Sequence, residues 1–229
     1  MHEELKKTVC QSNIELQKQN LIIYSWGNVS GIDRRAGVAA IKPSGVSYDD
    51  LRPEMIVLLD LDGNVVEGTL KPSSDTPTHL ELYRNFEAIG GICHTHSICA
   101  TAWAQACIEI PCFGTTHADY FYGPVPVTEI MKKDEIENDY ELNTGKAIIR
   151  RFADIDPMQI PAVLVANHGP FSWGSSAESA VEAMVVLEEI ATMALSTIMI
   201  SHEQGQISKT LLDKHYLRKH GRNAYYGQK

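Results

Sequence analysis

The sequence predicts an α/β fold, a sheet covered by helices, and three observations carry that prediction. Segments of strand length alternate with segments whose apolar residues recur at helical spacing. One of them, Ala162–Ala166, is a continuous apolar run short enough for a strand buried on both faces. No internal repeat, low-complexity tract or Pro/Ser-rich linker divides the 229 residues, so one domain spanning 1–229 is expected.

Taken in order, Glu3–Gln19 places Leu5, Val9 and Leu16 at helical spacing. Leu21–Ile32 reads as extended and is broken at Gly27-Asn28. Val38–Ile41 is a short strand leading into Lys42-Pro43-Ser44-Gly45. Ile56–Leu61, Asp62-Gly63-Asn64 and Val65-Val66 form a predicted hairpin, because Asp-Gly suits a turn with positive φ. Lys71–Asp75 is a polar loop, and Thr76-Pro77 opens a helix with Pro where its missing N–H costs nothing. Ile89–His96 reads as a strand, Ser97–Ala106 as a helix, and Ile148–Phe152 as the end of another. From Ala177 through Ala180, Val181, Met184, Val185, Glu188, Ala191, Ala194 and Leu195 to Ile198 the apolar spacing is helical, the strongest such signal in the chain.

Composition narrows the function classes. Lys and Arg total 20 against 29 Asp and Glu, a net charge of −9, which argues against general binding to nucleic acid or anionic membrane. The apolar stretch Ala180–Ile200 contains Glu182, Glu188 and Glu189, so it reads as a buried helix rather than a membrane span. Cys10, Cys93, Cys99, Cys107 and Cys112 are odd in number and contain no C-x-x-C pair, which suits small buried hydrophobes in a reducing compartment. No apolar run follows the charged N-terminus, so a secretory signal is not expected and a cytoplasmic location is.

Nine histidines direct attention to metal or acid–base chemistry. His94-Thr95-His96 lies at the end of a predicted strand, where side chains two apart share a face, about 6–7 Å apart along the chain, and can bite one ion. His168, beyond Ala162–Ala166, puts a third imidazole at a strand end. Three neutral nitrogens with an open fourth position are a catalytic zinc pattern. Asp75 is the carboxylate nearest the helix opened by Thr76-Pro77, where capping is its ordinary role. Asp119, in His117-Ala118-Asp119-Tyr120, belongs to another polar cluster amid Thr, Gly and aromatics, where turn formation is its ordinary role.

Gly27-Asn28, Ser44-Gly45 and Ser73-Ser74 are small polar pairs in three loops. Such residues let backbone N–H groups approach a phosphate, and Ser73-Ser74 precedes a helix N-terminus. Lys42 and Lys71 supply local positive charge. Thr144-Gly145-Lys146 lacks the first Gly and the final Ser/Thr of a P-loop and is rejected as one. Trp26, Trp103 and Trp173 are read as core or interface anchors.

Together, Trp26-Gly27-Asn28-Val29-Ser30, Ile41–Val46, Lys71–Thr76, His94-Thr95-His96, Gly114–Tyr120 and Asn167–Pro170 occur in the order typical of the class II aldolase/adducin family, which the chain resembles over its whole length. The tail, Asp213–Gly221 with Tyr225-Tyr226-Gly227, is similar to the branch that epimerises a phosphorylated ketopentose. The resemblance implies a mixed, largely antiparallel sheet with helices on both faces. It also implies a homotetramer with active sites at subunit interfaces and one divalent ion, usually zinc, per subunit. By position, His94, His96 and His168 resemble its ligands, with Asp75 on or beside it. Gly27, Asn28, Lys42, Ser44, Gly45, Ser73 and Ser74 resemble a phosphate cradle. Asp119 and Tyr226 resemble a proton-transfer pair donated by a neighbour. His117, Glu141 and His215 fall in family segments as supporting residues.

The expected reaction is conversion of L-ribulose 5-phosphate to D-xylulose 5-phosphate. The C4 hydrogen is not adjacent to the C2 carbonyl, so breaking and remaking C3–C4 is easier than deprotonation at C4, and it requires acid/base groups on opposite faces. Related sugar-phosphate aldolases typically carry Glu where this chain has Asp75. A fuculose- or rhamnulose-phosphate type aldolase is the alternative, and a non-catalytic adducin-like interaction domain has no need of the histidines.

Overall fold

The computed structural model describes residues 2–226; Met1 and Gly227 of the tail motif lie outside the described residues. In chain order the elements are α1 (Glu3–Lys18), β1 (Asn28–Asp33), β2 (Val38–Ile41), β3 (Val57–Asp60), β4 (Val65–Glu67), α2 (Thr76–Asn85), β5 (Gly91–His94), α3 (Ile98–Ala106) and α4 (Thr115–Ala118). There follow α5 (Lys133–Glu137), α6 (Tyr140–Arg151), β6 (Ala162–Val165), β7 (Gly169–Gly174), α7 (Ala177–Ile200) and α8 (Lys209–His220).

The strands form one seven-stranded sheet in the order β4-β3-β2-β1-β5-β7-β6. Every paired strand is antiparallel, and the parallel component is confined to an isolated bridge between Val127 and Leu164. The register fixes what each face carries. Asn28 pairs with His94 and His94 with Phe171, so these three side chains lie in one row on one face. Ser30, two residues on from Asn28, hydrogen-bonds His79 and Tyr83 of α2, which puts α2 on that face. Ser172 points the other way and donates to the Ala180 carbonyl of α7. Helices therefore cover both faces, and the core is continuous from α1 and α7 through the sheet to α2 and α6.

α7 is long and apolar enough to cross a membrane by composition, but it lays Ala180, Met184, Leu187 and Ala191 against the protein interior. The close approach of its first turn to β5 needs Gly91, where a Cβ would stand 2.4 Å from the Ser176 and Ala177 backbone. All five cysteines are free. Trp103 and Trp173 are buried in the core, whereas Trp26 is half-exposed beside the cleft described below and is not part of the core.

Candidate metal centre and substrate cleft

β5 ends at His94, and the chain leaves the sheet before His96, so the strand is shorter than expected. The imidazoles still converge. The ring centroids of His94, His96 and His168 are 4.8–5.1 Å apart, and one nitrogen from each lies within 4.8 Å of the others. His168 arrives from the turn between β6 and β7, entered through Asn167 at φ 61°.

Second partners orient the rings. His94 Nδ1–H donates to the Pro170 carbonyl at 2.9 Å, which leaves Nε2 as a free lone pair. That Nε2 faces His96 Nε2 at 3.2 Å. The Tyr140 hydroxyl stands 3.3 Å from His168 Nδ1 and can accept its proton, again freeing Nε2. His96 is held through α3, whose first N–H groups, from Cys99 and Ala100, donate to the Glu188 carboxylate of α7. Burial, followed by the neighbouring imidazoles, pushes His168 down to about 3 and lowers His96. Neutral, oriented nitrogens with open lone pairs are the donor set that suits a divalent ion such as zinc.

Asp75 does not cap α2, for its side chain makes no capping bond. Its carboxylate accepts the Asn28 amide at 2.6 Å. Burial alone would raise the Asp75 pKa, but the His94 and His79 imidazoles and the Asn28 amide outweigh it and hold the carboxyl below the usual range.

The three small-residue loops meet here. Ser44 N–H donates to the Lys71 carbonyl and Ser73 N–H to the Lys42 carbonyl, which stitches two loops side by side. The Asn28 amide reaches Ser73 Oγ at 3.1 Å and ties in the third. Gly27 sits at φ 97°, and a Cβ there would stand 2.8 Å from the His94 carbonyl, so only glycine lets this loop close on the metal strand. Asn28 Oδ1 is buried and has no partner among the described residues, leaving an acceptor for a ligand hydroxyl. Lys42 Nζ donates to the Val46 carbonyl at 2.6 Å, and burial lowers its pKa to about 8.

The resulting cleft of about 410 Å³ is lined by Gly27, Asn28, Lys42, Ser44, Gly45, Ser73, Ser74, Asp75, His94, His96, Glu141 and His168. Trp26 and Tyr140 also line it, and neither was singled out as a site residue from sequence. Tyr140 opens a polar helix and carries no motif; Trp26 offered only its place beside Gly27-Asn28.

Asp119, Tyr226, His117 and His215 do not line this cleft. Asp119 ends α4 against α8, where Arg218 Nη2 reaches both its oxygens at 3.0 Å, His215 Nδ1–H donates at 3.0 Å and Lys219 Nζ lies at 3.5 Å. Burial pushes the Asp119 carboxyl up, but these partners, Arg218 foremost, bring it below the usual range. Tyr226 lies half-exposed over the same cations. His117 is buried and donates to the Gly123 carbonyl at 2.8 Å. Two clusters result: one of imidazoles and small polar loops, one of a carboxylate, a phenol and cations.

The profile of the family described as "Class II Aldolase and Adducin N-terminal domain" matches residues 7–195. Among solved structures, an L-fuculose 1-phosphate aldolase superposes with a TM-score of 0.78 at 26% identity, covering 93% of this chain and 94% of the other. YgbL of Klebsiella pneumoniae, whose activity is left open among aldolase, epimerase and decarboxylase, superposes with a TM-score of 0.72 at 24% identity, covering 93% and 99%. An L-fuculose-1-phosphate aldolase of Thermus thermophilus gives 0.69 at 24%, covering 88% and 99%. The last two likenesses speak for the fold.

Proposed function

The chain belongs to the class II aldolase/adducin family, and from that premise we propose that it is a metal-dependent L-ribulose-5-phosphate 4-epimerase, a cytoplasmic homotetramer of pentose catabolism. The observation that carries this reading is the division of labour between the two clusters. Asp75, one methylene shorter than the Glu of related aldolases, is tied back by Asn28 beside the imidazoles, which suits a place on or beside the ion. Asp119 and Tyr226, brought together on Arg218 outside the cleft, are the pair assigned to proton transfer.

The loops around Ser44, Gly45, Ser73 and Ser74 hold the substrate phosphate with the Gly45 and Ser74 backbone N–H groups, the serine hydroxyls and the Lys42 ammonium, which is how an acidic protein binds an anion without a basic surface. When bound, a zinc ion held by His94, His96 and His168, with Asp75 on or beside it, supplies Lewis acidity that offsets charge developing on the ketose oxygens. One of the pair Asp119 and Tyr226 takes the C4 hydroxyl proton as C3–C4 breaks, and electrons flow toward the C2 carbonyl to leave a dihydroxyacetone enediolate and glycolaldehyde phosphate. The cradle retains the aldehyde while it turns to show its other face. The enediolate re-adds, and the other group protonates the new alkoxide from the opposite side.

Assembly follows from the same division, since in one chain the proton-transfer pair is outside the cleft. Ile98, Met199 and Ile200 are 77%, 73% and 87% exposed in the single chain and suit burial against neighbours. The likeness to an L-fuculose 1-phosphate aldolase favours a second reading, an aldolase that releases its aldehyde. Incubation with L-ribulose 5-phosphate, with and without chelator, separates the two. Chelator-sensitive D-xylulose 5-phosphate supports the epimerase, and free dihydroxyacetone instead supports the aldolase.

A further inference from the structure

We propose that Arg218 is the positioning residue that yokes Asp119 to Tyr226, so that one side chain sets the place of both proton-transfer groups; this rests on the roles assigned to that pair above. Arg218 touches the two in three ways. Its Nη2 reaches both Asp119 oxygens at 3.0 Å. Its guanidinium carbon lies 4.6 Å from the Tyr226 ring centroid. Its backbone carbonyl accepts the N–H groups of Tyr225 and Tyr226 at 3.0 and 3.1 Å, so the segment bearing the phenol is pinned to the last turn of α8.

Among the described residues, no other contacts both groups through side chain and main chain together. Lys219 also reaches them, at 3.5 Å from Asp119 Oδ2 and 4.8 Å from the Tyr226 centroid. It is a single-point ammonium, whereas the planar guanidinium can bridge a carboxylate and stack on a ring at once. His215 and His220 bind Asp119 alone, through its carboxylate and its carbonyl, and Tyr120 is turned away to Glu182 of α7. Arg218 and Asp119 are mostly buried, and Arg218 Nε has no partner among the described residues. The cation therefore depends on Asp119 for compensation, and strong coupling between the two is expected.

The test compares Arg218→Gln and Arg218→Lys in the full-length protein. R218Q should lower kcat about 100-fold, the order expected when a reacting group is misplaced by an ångström. KM should stay near wild type, because the phosphate loops are in the other cluster. R218K keeps the charge and should recover part of kcat. In a D119N/Y226F background, R218Q should have no further effect. Two readouts need no turnover: the Asp119 carboxyl carbon resonance, assigned with D119N, should titrate higher in R218Q, and the Tyr226 ring resonance, assigned with Y226F, should sharpen toward that of a free tail. Unchanged resonances with unchanged kcat, a loss confined to KM, or full additivity with D119N/Y226F would each overturn the proposal. If the wild-type protein does not epimerise L-ribulose 5-phosphate, the functional reading fails, and the two resonances still decide whether Arg218 is the yoke.

Discussion

The Asn28 amide and the Asp75 carboxylate are 2.6 Å apart, and through that contact the first residue of β1 governs the acidic group at the start of α2. The same amide donates to Ser73 Oγ, so one side chain joins the small-residue loops to the imidazole cluster. Asn28→Ala removes a hydrogen bond to a charged group, worth about 1.5–3 kcal/mol. The expected outcome is a roughly 10- to 100-fold loss of activity with bound metal unchanged, because all three imidazoles remain. Steady-state kinetics with metal analysis on one preparation checks this, and loss of the metal would reassign Asn28 to the ion.

Removing His94 and His96 together should empty the metal site, as read by elemental mass spectrometry; unchanged stoichiometric metal would sink the ligand assignment. A milder probe is Tyr140→Phe, which deletes the hydroxyl 3.3 Å from His168 Nδ1. Metal affinity should fall about 10- to 100-fold, the usual consequence of losing such an outer partner.

If the loops hold a phosphate as proposed, Lys42 gives that cradle a pH limit. Burial holds its pKa down at about 8, so the ammonium is present below that pH and lost above it. KM for a phosphorylated substrate should rise as pH passes about 8, with the bound dianion moving the transition upward. In Lys42→Met, KM should be high throughout and the step should vanish. A step that persists in the variant would belong to another group.

His117 lies outside the cleft of its own chain. Its ring is buried, and its pKa is pushed down to about 4, chiefly by desolvation. The folded value lies below the unfolded one, so the unfolded chain takes up the proton first and stability falls as pH drops from about 6.5 towards 4. At about pH 5 the loss from this group is about 2 kcal/mol. Denaturant titrations of wild type and His117→Gln at about pH 7 and about pH 5 should show a smaller pH dependence in the variant; identical slopes would assign acid sensitivity elsewhere.

Much of the cleft was legible because its parts are local. Val38–Ile41 is a strand with the expected bounds, Ser44-Gly45 and Ser73-Ser74 sit in loops, and Asn28 begins β1, with all three pairs lining one cleft. His94, His96 and His168 were found as strand-end residues, although His96 lies past the strand because both neighbours of β5 stop pairing with it at His94. β7 leaves no strand signal in the sequence because Gly169-Pro170-Phe171-Ser172-Trp173-Gly174 has neither alternation nor a full set of donors. It is tolerated because Pro170 contributes its carbonyl, to His94. α8 has no apolar stripe to read, since only Tyr216 on it is buried in the chain. Long-range partners such as Tyr140 with His168, or Arg218 with Asp119, depend on the closed fold and leave no local spacing behind.

That unstriped α8 bears on the assembly. If the cluster around Asp119 completes a cleft on a neighbouring chain, a variant defective in each cluster should be rescued by the other. His96→Asn damages the metal site and keeps Asp119 and Tyr226, while Asp119→Asn does the reverse. Each is expected to be nearly inactive alone. Unfolded together and refolded as mixed oligomers at equal amounts, the two should regain about a quarter of wild-type activity, since a site is intact only when its metal half and its proton-transfer half both come from undamaged copies. A site built within one chain gives no recovery, because every chain in the mixture carries a defect. Activity of the mixture against the sum of its parts, with oligomer size measured by light scattering, therefore decides whether Asp119 and Tyr226 serve their own chain or the next.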